Sequence, residues 1–218
     1  MTTIDIKTGK AEPWVGLQLA AQSLLNEFDG VIFEPGSHVY TYNGQHWPSI
    51  TQILKDEGFI DTAFYDEWSR DRGSMVHLAC KYDLSGELDE DTLDDEIRPY
   101  LAAFRKFMAE SGFKVEKSEV PGVNTTHRYS GTPDLVGCFP KPVPCRRFAL
   151  ELNKEGKYKL IPFTDQTDFS VWLSAVAVHH WKANNLKGYR QAVKKDKFVD
   201  LYSDLEPNYP DDMNNWDH

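Results

Sequence analysis

The stretch Thr3-Ile4-Asp5-Ile6-Lys7 sets a carboxylate and an ammonium group two residues apart in an apolar run. Far downstream, Gly131-Thr132-Pro133-Asp134-Leu135-Val136-Gly137 sets Asp134 in the same kind of surroundings. A carboxylate inside an apolar strand costs free energy unless something pairs with it. Two such carboxylates and a lysine point to a divalent cation. Acidic oxygens hold Mg²⁺ or Mn²⁺, and the ion lowers the pKa of a water molecule. Residues two apart in a strand project from one face. Lys7 would then stand beside Asp5, where it could orient that water or stabilise charge on a scissile phosphate.

The elements that must position these groups are legible in outline. Residues 2–7 read as a short strand. Pro13 opens a helix over 13–28, with Leu17, Ala21, Leu24 and Phe28 as its core stripe and Trp14, Gln18 and Gln22 on a neighbouring one. VIFEPGSHVYTYNG reads as a hairpin about Glu-Pro-Gly-Ser, with a second turn at Asn43-Gly44. PSITQILKDEG is a short helix ending at Gly58. Further helices are expected over 61–83, with Asp61 as N-cap, and over 94–111, stopped by Gly112. The second carries the stripe Leu93, Ile97, Leu101, Phe104 and Met108, and Pro99 disturbs its first turns. FKVEKSEV, HRYSGTPDLVG, RRFALEL and YKLIPF read as strands, with the proline-rich CFPKPVPC joining the second to the third. TDFSVWLSAVAVHHWKANN is a long helix with Phe169, Trp172, Leu173, Val176 and His180 on one face. The expected class is α/β (α+β), a mixed central sheet flanked by helices.

The chain has 218 residues, 40% hydrophobic and 27% charged, which suits one domain with one core. No apolar run approaches the ~20 residues of a membrane helix. The start lacks a basic segment followed by an apolar one, so a cytoplasm is the expected compartment. Cys80, Cys138 and Cys145 show no metal spacing and read as inert thiols. A net charge of −10 argues against broad non-specific nucleic-acid binding. Part of it falls in the acidic end at 204–218, while Lys194, Lys195 and Lys197 make a locally basic run, so segregated surface charge is compatible with the total.

Pro133-Asp134 together with Asp5-Ile6-Lys7 resembles the signature of the PD-(D/E)XK nuclease superfamily. The likeness is greatest to its RecB-like branch and to small phage-encoded nucleases. RGSMVH resembles that branch's upstream helix motif, SGTPDLVG its central Gly-x-x-Asp strand, and IDIKTGKAEPWVGLQLAAQ its D-x-K strand and following helix. HVYTYNGQHWPSITQIL and the last helix resemble the flanks of such phage proteins. The resemblance covers 1–203 as a single domain and implies a restriction-endonuclease-like fold with an added N-terminal hairpin over 29–60. It implies a metal held by His77, Glu119, Asp134, Asp5 and the Ile6 carbonyl, with Glu116 as a rival to Glu119. Asp134, Asp5, Lys7 and Glu119 would be catalytic, and Arg72, Gly73, Gln18 and Gln22 would meet the substrate, DNA. The implied activity is metal-dependent cleavage of DNA, with end processing in phage replication or recombination as its setting.

Two departures stand out. Gln22 occupies a place where the family has tyrosine. In the family the D-x-K strand and its helix follow the Asp strand, whereas here residues 1–28 come first. They would insert between strands of their own chain, leaving a monomer, or of a neighbour, giving a swapped homo-oligomer. Taken singly, each motif has a plainer reading: Asp5 as a solvated strand end, GTPDLVG as a turn and a core strand, His77 as a satisfied surface histidine. Their coincidence carries the nuclease reading. The alternatives are a nucleic-acid-binding or scaffold protein that keeps the fold without catalysis, and a metal-dependent hydrolase of another substrate.

Overall fold

A computed structural model describes residues 1–60 and 67–186. The expected Asp61 cap, the basic run at Lys194, Lys195 and Lys197, and the acidic end lie outside the described residues. Five strands form the central sheet: β1 (Thr2–Lys7), β5 (Lys114–Ser118), β8 (Leu135–Cys138), β9 (Arg147–Leu152) and β10 (Tyr158–Pro162), in the order β10-β9-β1-β8-β5. The sheet is mixed, with β1 parallel to β9 and antiparallel to β8. The first strand of the chain is thus the middle strand of the sheet, paired on both sides within its own chain. That position explains its near-continuous burial, because a strand covered on both faces has no solvent side.

Helices cover both faces. On one, α3 (Glu67–Ser85) and α4 (Arg98–Ser111) pack over Ile4, Ile6, Leu135, Phe148 and Leu150. On the other, Val15 and Leu19 of α1 (Val15–Ser23) pack on Ala149, and α1 in turn joins α2 (Ile50–Asp56) and α5 (Thr167–Asn185) around Trp172. Among the described residues no helix is long and apolar enough to cross a membrane.

Several elements differ from the sequence expectation, each for a local reason. The first helix ends at Ser23, short of residue 28. Asn26 and Glu27 instead give their backbone N–H groups to the Val123 carbonyl. The fourth helix begins at Arg98, since Pro99, tolerated only in a first turn, sits there at the start. HRYSGTPDLVG breaks at Thr132-Pro133, where proline brings no ladder donor. Its first part, β7 (Tyr129–Gly131), pairs with β6 (Gly122–Asn124) in a separate ribbon, and only its second part, β8, enters the main sheet. On α5 the buried face is Trp172, Ala175, Val176 and His179, so His179 and not His180 turns inward.

The expected hairpin is present and larger than foreseen. Here β2 (Ile32–Glu34), β3 (Val39–Tyr42) and β4 (Gln45–Trp47) form a three-stranded sheet whose second turn places Asn43 and Gly44 at positive φ. Ser49 caps α2 by accepting from the Gln52 N–H, and Gly112 ends α4 in the left-handed conformation.

Candidate metal centre

The site forms where β1 ends, between α1 and α3. Ile4 and Ile6 point into the α3/α4 core, which leaves Asp5 and Lys7 on the opposite face, toward α1. Lys7 Nζ lies 2.7 Å from Asp5 Oδ2, and Gln18 of α1 donates to Asp5 Oδ1 at 2.8 Å. Asp5 is 1% exposed. Burial, added to the neighbouring Asp134 charge, outweighs the help of Lys7 and pushes its pKa up to about 6.

Asp134 sits at the entrance to β8, beside β1. Its Oδ2 accepts the Ile6 N–H at 2.5 Å. Burial would raise its pKa, but the His77 imidazole, the Lys7 ammonium and that N–H hold it below the ordinary 3.8. Gly137 makes the strand's position possible: a Cβ there would lie 2.0 Å from the Lys114 carbonyl of β5. On β5 the register shifts between Val115 and Lys117, so the exposed Glu116 is the extra residue of a bulge. The chain then delivers Glu119 to the site. Its N–H donates to the Asp134 carbonyl at 3.1 Å, and its backbone is left-handed at φ 51. A non-glycine residue held there carries strain of about 1–3 kcal/mol and is found where a side chain must be aimed.

His77 of α3 closes the cluster. Nδ1 is 3.1 Å from Glu119 Oε1 and 3.5 Å from Asp134 Oδ1, and Nε2 is 3.1 Å from the Ile6 carbonyl. The carbonyl can only accept, so Nε2 carries a proton. Nδ1 faces two carboxylates, which favour a second proton there. Burial opposes that charge, yet Asp134 and Glu119 prevail and raise the pKa well above 6.5. Burial likewise lifts Glu119, with His77 partly offsetting it.

One ligand atom each from His77, Glu119 and Asp134 lies within 4.8 Å of the others. Two carboxylates and an imidazole, beside the Ile6 carbonyl, are donors that could hold a divalent cation. As a ligand His77 would have to be neutral at Nδ1, so an ion held there would take the place of a proton on that nitrogen. Asp5 stands alongside that trio, with one oxygen on Gln18 and the other on Lys7.

Of the residues expected to meet substrate, Gln18, Arg72 and Gly73 line an open cleft of about 970 Å³ that leads to the site. Gln22 does not. It is 4% exposed, because the side chain turns inward, where Nε2 reaches the Thr132 carbonyl at 3.5 Å. The cleft adds cations that no motif marked: Lys10, Lys55, Arg70 and Lys81 join Lys7 and Arg72 along it, and among the described residues the acids that line it are Glu12 and Glu119. These six come from β1, the loop after it, α2 and α3, so no basic run in the sequence could have announced them. The only sequence signal was negative, in that a net charge of −10 permits a segregated cationic face. Neither a protein-family model nor a curated protein matches the sequence.

Proposed function

We propose that the protein is a metal-dependent nuclease that hydrolyses DNA phosphodiester bonds, built on the restriction-endonuclease-like plan of PD-(D/E)XK enzymes and similar to their RecB-like branch. The observation that carries this reading is the meeting of His77, Glu119 and Asp134 beside the Asp5–Lys7 pair, at the end of a cleft lined by cations in a chain of net charge −10. A polyanion is the substrate class such a cleft attracts.

His77, Glu119, Asp134 and the Ile6 carbonyl would hold the ion, with Asp5 adding its charge. The bound ion supplies Lewis-acid charge for the phosphoryl oxygens and lowers the pKa of water. The chain's own groups do the rest. Gln18 fixes the Asp5 carboxylate, which in turn holds the Lys7 ammonium at the cleft. Lys7 orients the attacking water, or meets the charge that grows on the phosphate as water attacks phosphorus in line. Arg72 lies along the same cleft and neutralises a neighbouring phosphate.

The test is a cleavage assay on end-labelled linear and on closed circular DNA with Mg²⁺, Mn²⁺ or EDTA, run with Lys7→Ala and Asp134→Ala. Metal-dependent cutting that falls by about 10³-fold or more in each variant is expected. No cutting by the wild type with either ion rejects the reading. One observation favours a second one, a binding protein without catalysis: His77 and Lys7 already neutralise the carboxylates. Calorimetry that finds no uptake of Mn²⁺, with DNA still bound, selects it.

A further inference from the structure

The cleft has chemically different contributors. From α3 come Arg70, Arg72 and Lys81. From the three-stranded sheet come Phe33, Pro35 and His38, with Lys55 of α2 acting on the His38 ring. Phe33 is half-buried and His38 exposed, and neither belongs to a hydrophobic core cluster among the described residues. Their rings meet edge to face, with centroids 5.2 Å apart. Phe33 leans on Tyr40 at 4.5 Å, and the buried Tyr40 bonds Thr132 Oγ1 through its hydroxyl at 2.9 Å, two residues before Asp134. His38 adopts φ 53, a conformation that a non-glycine residue reaches against steric resistance. The aromatic wall is therefore braced from behind and tied to the strand that carries the carboxylate, yet it is not core.

We propose that this wall is a base-stacking platform and that the cleft takes single-stranded DNA, an inference that rests on the nuclease reading above. In a duplex the base faces are stacked on each other and only base edges, sugars and phosphates are exposed along its length, so Phe33 and His38 would have no base face to stack on. A single strand offers both surfaces: base faces to the aromatic wall, phosphates to Lys55, Arg70 and Arg72. Aromatic faces interleaved with cations are the physical means of holding a single strand without reading its sequence.

The test compares a labelled oligonucleotide, single-stranded or as a blunt duplex, by fluorescence anisotropy with Ca²⁺ replacing Mg²⁺, and by cleavage with Mg²⁺ or Mn²⁺. The variants are Phe33→Leu, which keeps an apolar contact for Tyr40, and His38→Asn, since asparagine tolerates the left-handed backbone. The wild type is expected to bind the single strand at least tenfold tighter than the duplex. Each variant should weaken single-strand binding by about tenfold and leave duplex binding unchanged. Equal or tighter duplex binding overturns the proposal, and so does a single-strand preference that both variants retain. If no DNA is cut but the single strand is bound through these rings, the platform stands and the nuclease reading falls. If duplex and single strand are cut equally by wild type and variants, the nuclease reading stands and the platform falls.

Discussion

Two buried charge clusters lie at opposite ends of the paired strands β9 and β1, Arg147 beside Thr3 and the candidate centre where β1 ends, and they are built on opposite terms. Arg147, 3% exposed, donates to the Gly16 carbonyl at 3.2 Å, to Asp168 at 2.8 Å and to the Asp165 carbonyl, and lies 4.5 Å from the Phe169 ring centroid. Each partner favours its charge. Gly16 is the small residue that lets α1 approach, since a Cβ there would lie 2.7 Å from Asp168 Oδ2. At the candidate metal centre, Asp5, Asp134 and Glu119 crowd together, and burial works against each of them. The first cluster joins β9, α1 and α5 and is satisfied by the chain alone. In the second, His77 and Lys7 keep Asp134 ionised, but burial still raises Asp5 and Glu119, a conflict that a bound cation would relieve. Folded chains keep such conflict where function needs it.

The largest effect should separate the two clusters outright. Arg147→Ala strands Asp168 and opens a gap, and it should cost about 3 kcal/mol or more in urea unfolding, while cleavage per folded molecule stays near wild type. If activity falls in proportion to nothing but Arg147, with stability intact, the division between a clamp and a site is wrong.

A smaller effect is expected from Asp5→Asn, and it has the opposite sign. The folded pKa of Asp5 is raised from 3.8 to about 6. The folded state therefore binds the proton more tightly than the unfolded one. The stability this provides is complete below 3.8 and is lost as pH rises through about 6. At pH 7 without metal the ionised group is a burden on the order of 1–3 kcal/mol. Asp5→Asn should raise the urea midpoint at pH 7, and the gain should shrink toward pH 4. A variant less stable than wild type at pH 7 would mean that the Lys7 pair outweighs burial.

The smallest effect sharpens the site itself. Gln18→Ala removes the hydrogen bond that fixes Asp5 without removing any expected ligand. Loss of such an outer partner costs about tenfold in activity or metal affinity. A change in Mn²⁺ affinity read by calorimetry, with the unfolding midpoint unmoved, would assign it to positioning.

What was legible in the sequence were features set by near neighbours. The strand at Thr2–Lys7, the turn at Asn43-Gly44, the stop at Gly112 and the pairing of Asp5 with Lys7 each follow from local residue chemistry, and the structure has them where they were expected. The mixed sheet with helices on both faces also followed from the order of apolar patterns. Tertiary structure decided the rest, because each remaining choice depends on residues distant in the chain. Glu119 rather than Glu116 reaches the site because a bulge against β8 changes which side chain faces it. Gln22 turns to the Thr132 carbonyl because β7 ends beside α1. The six cations of the cleft, carried by β1, the loop after it, α2 and α3, are neighbours only in the folded chain. Pattern along a chain reports local propensity and which face is buried. It does not report which two distant segments will share a surface, and the candidate centre is assembled from four of them.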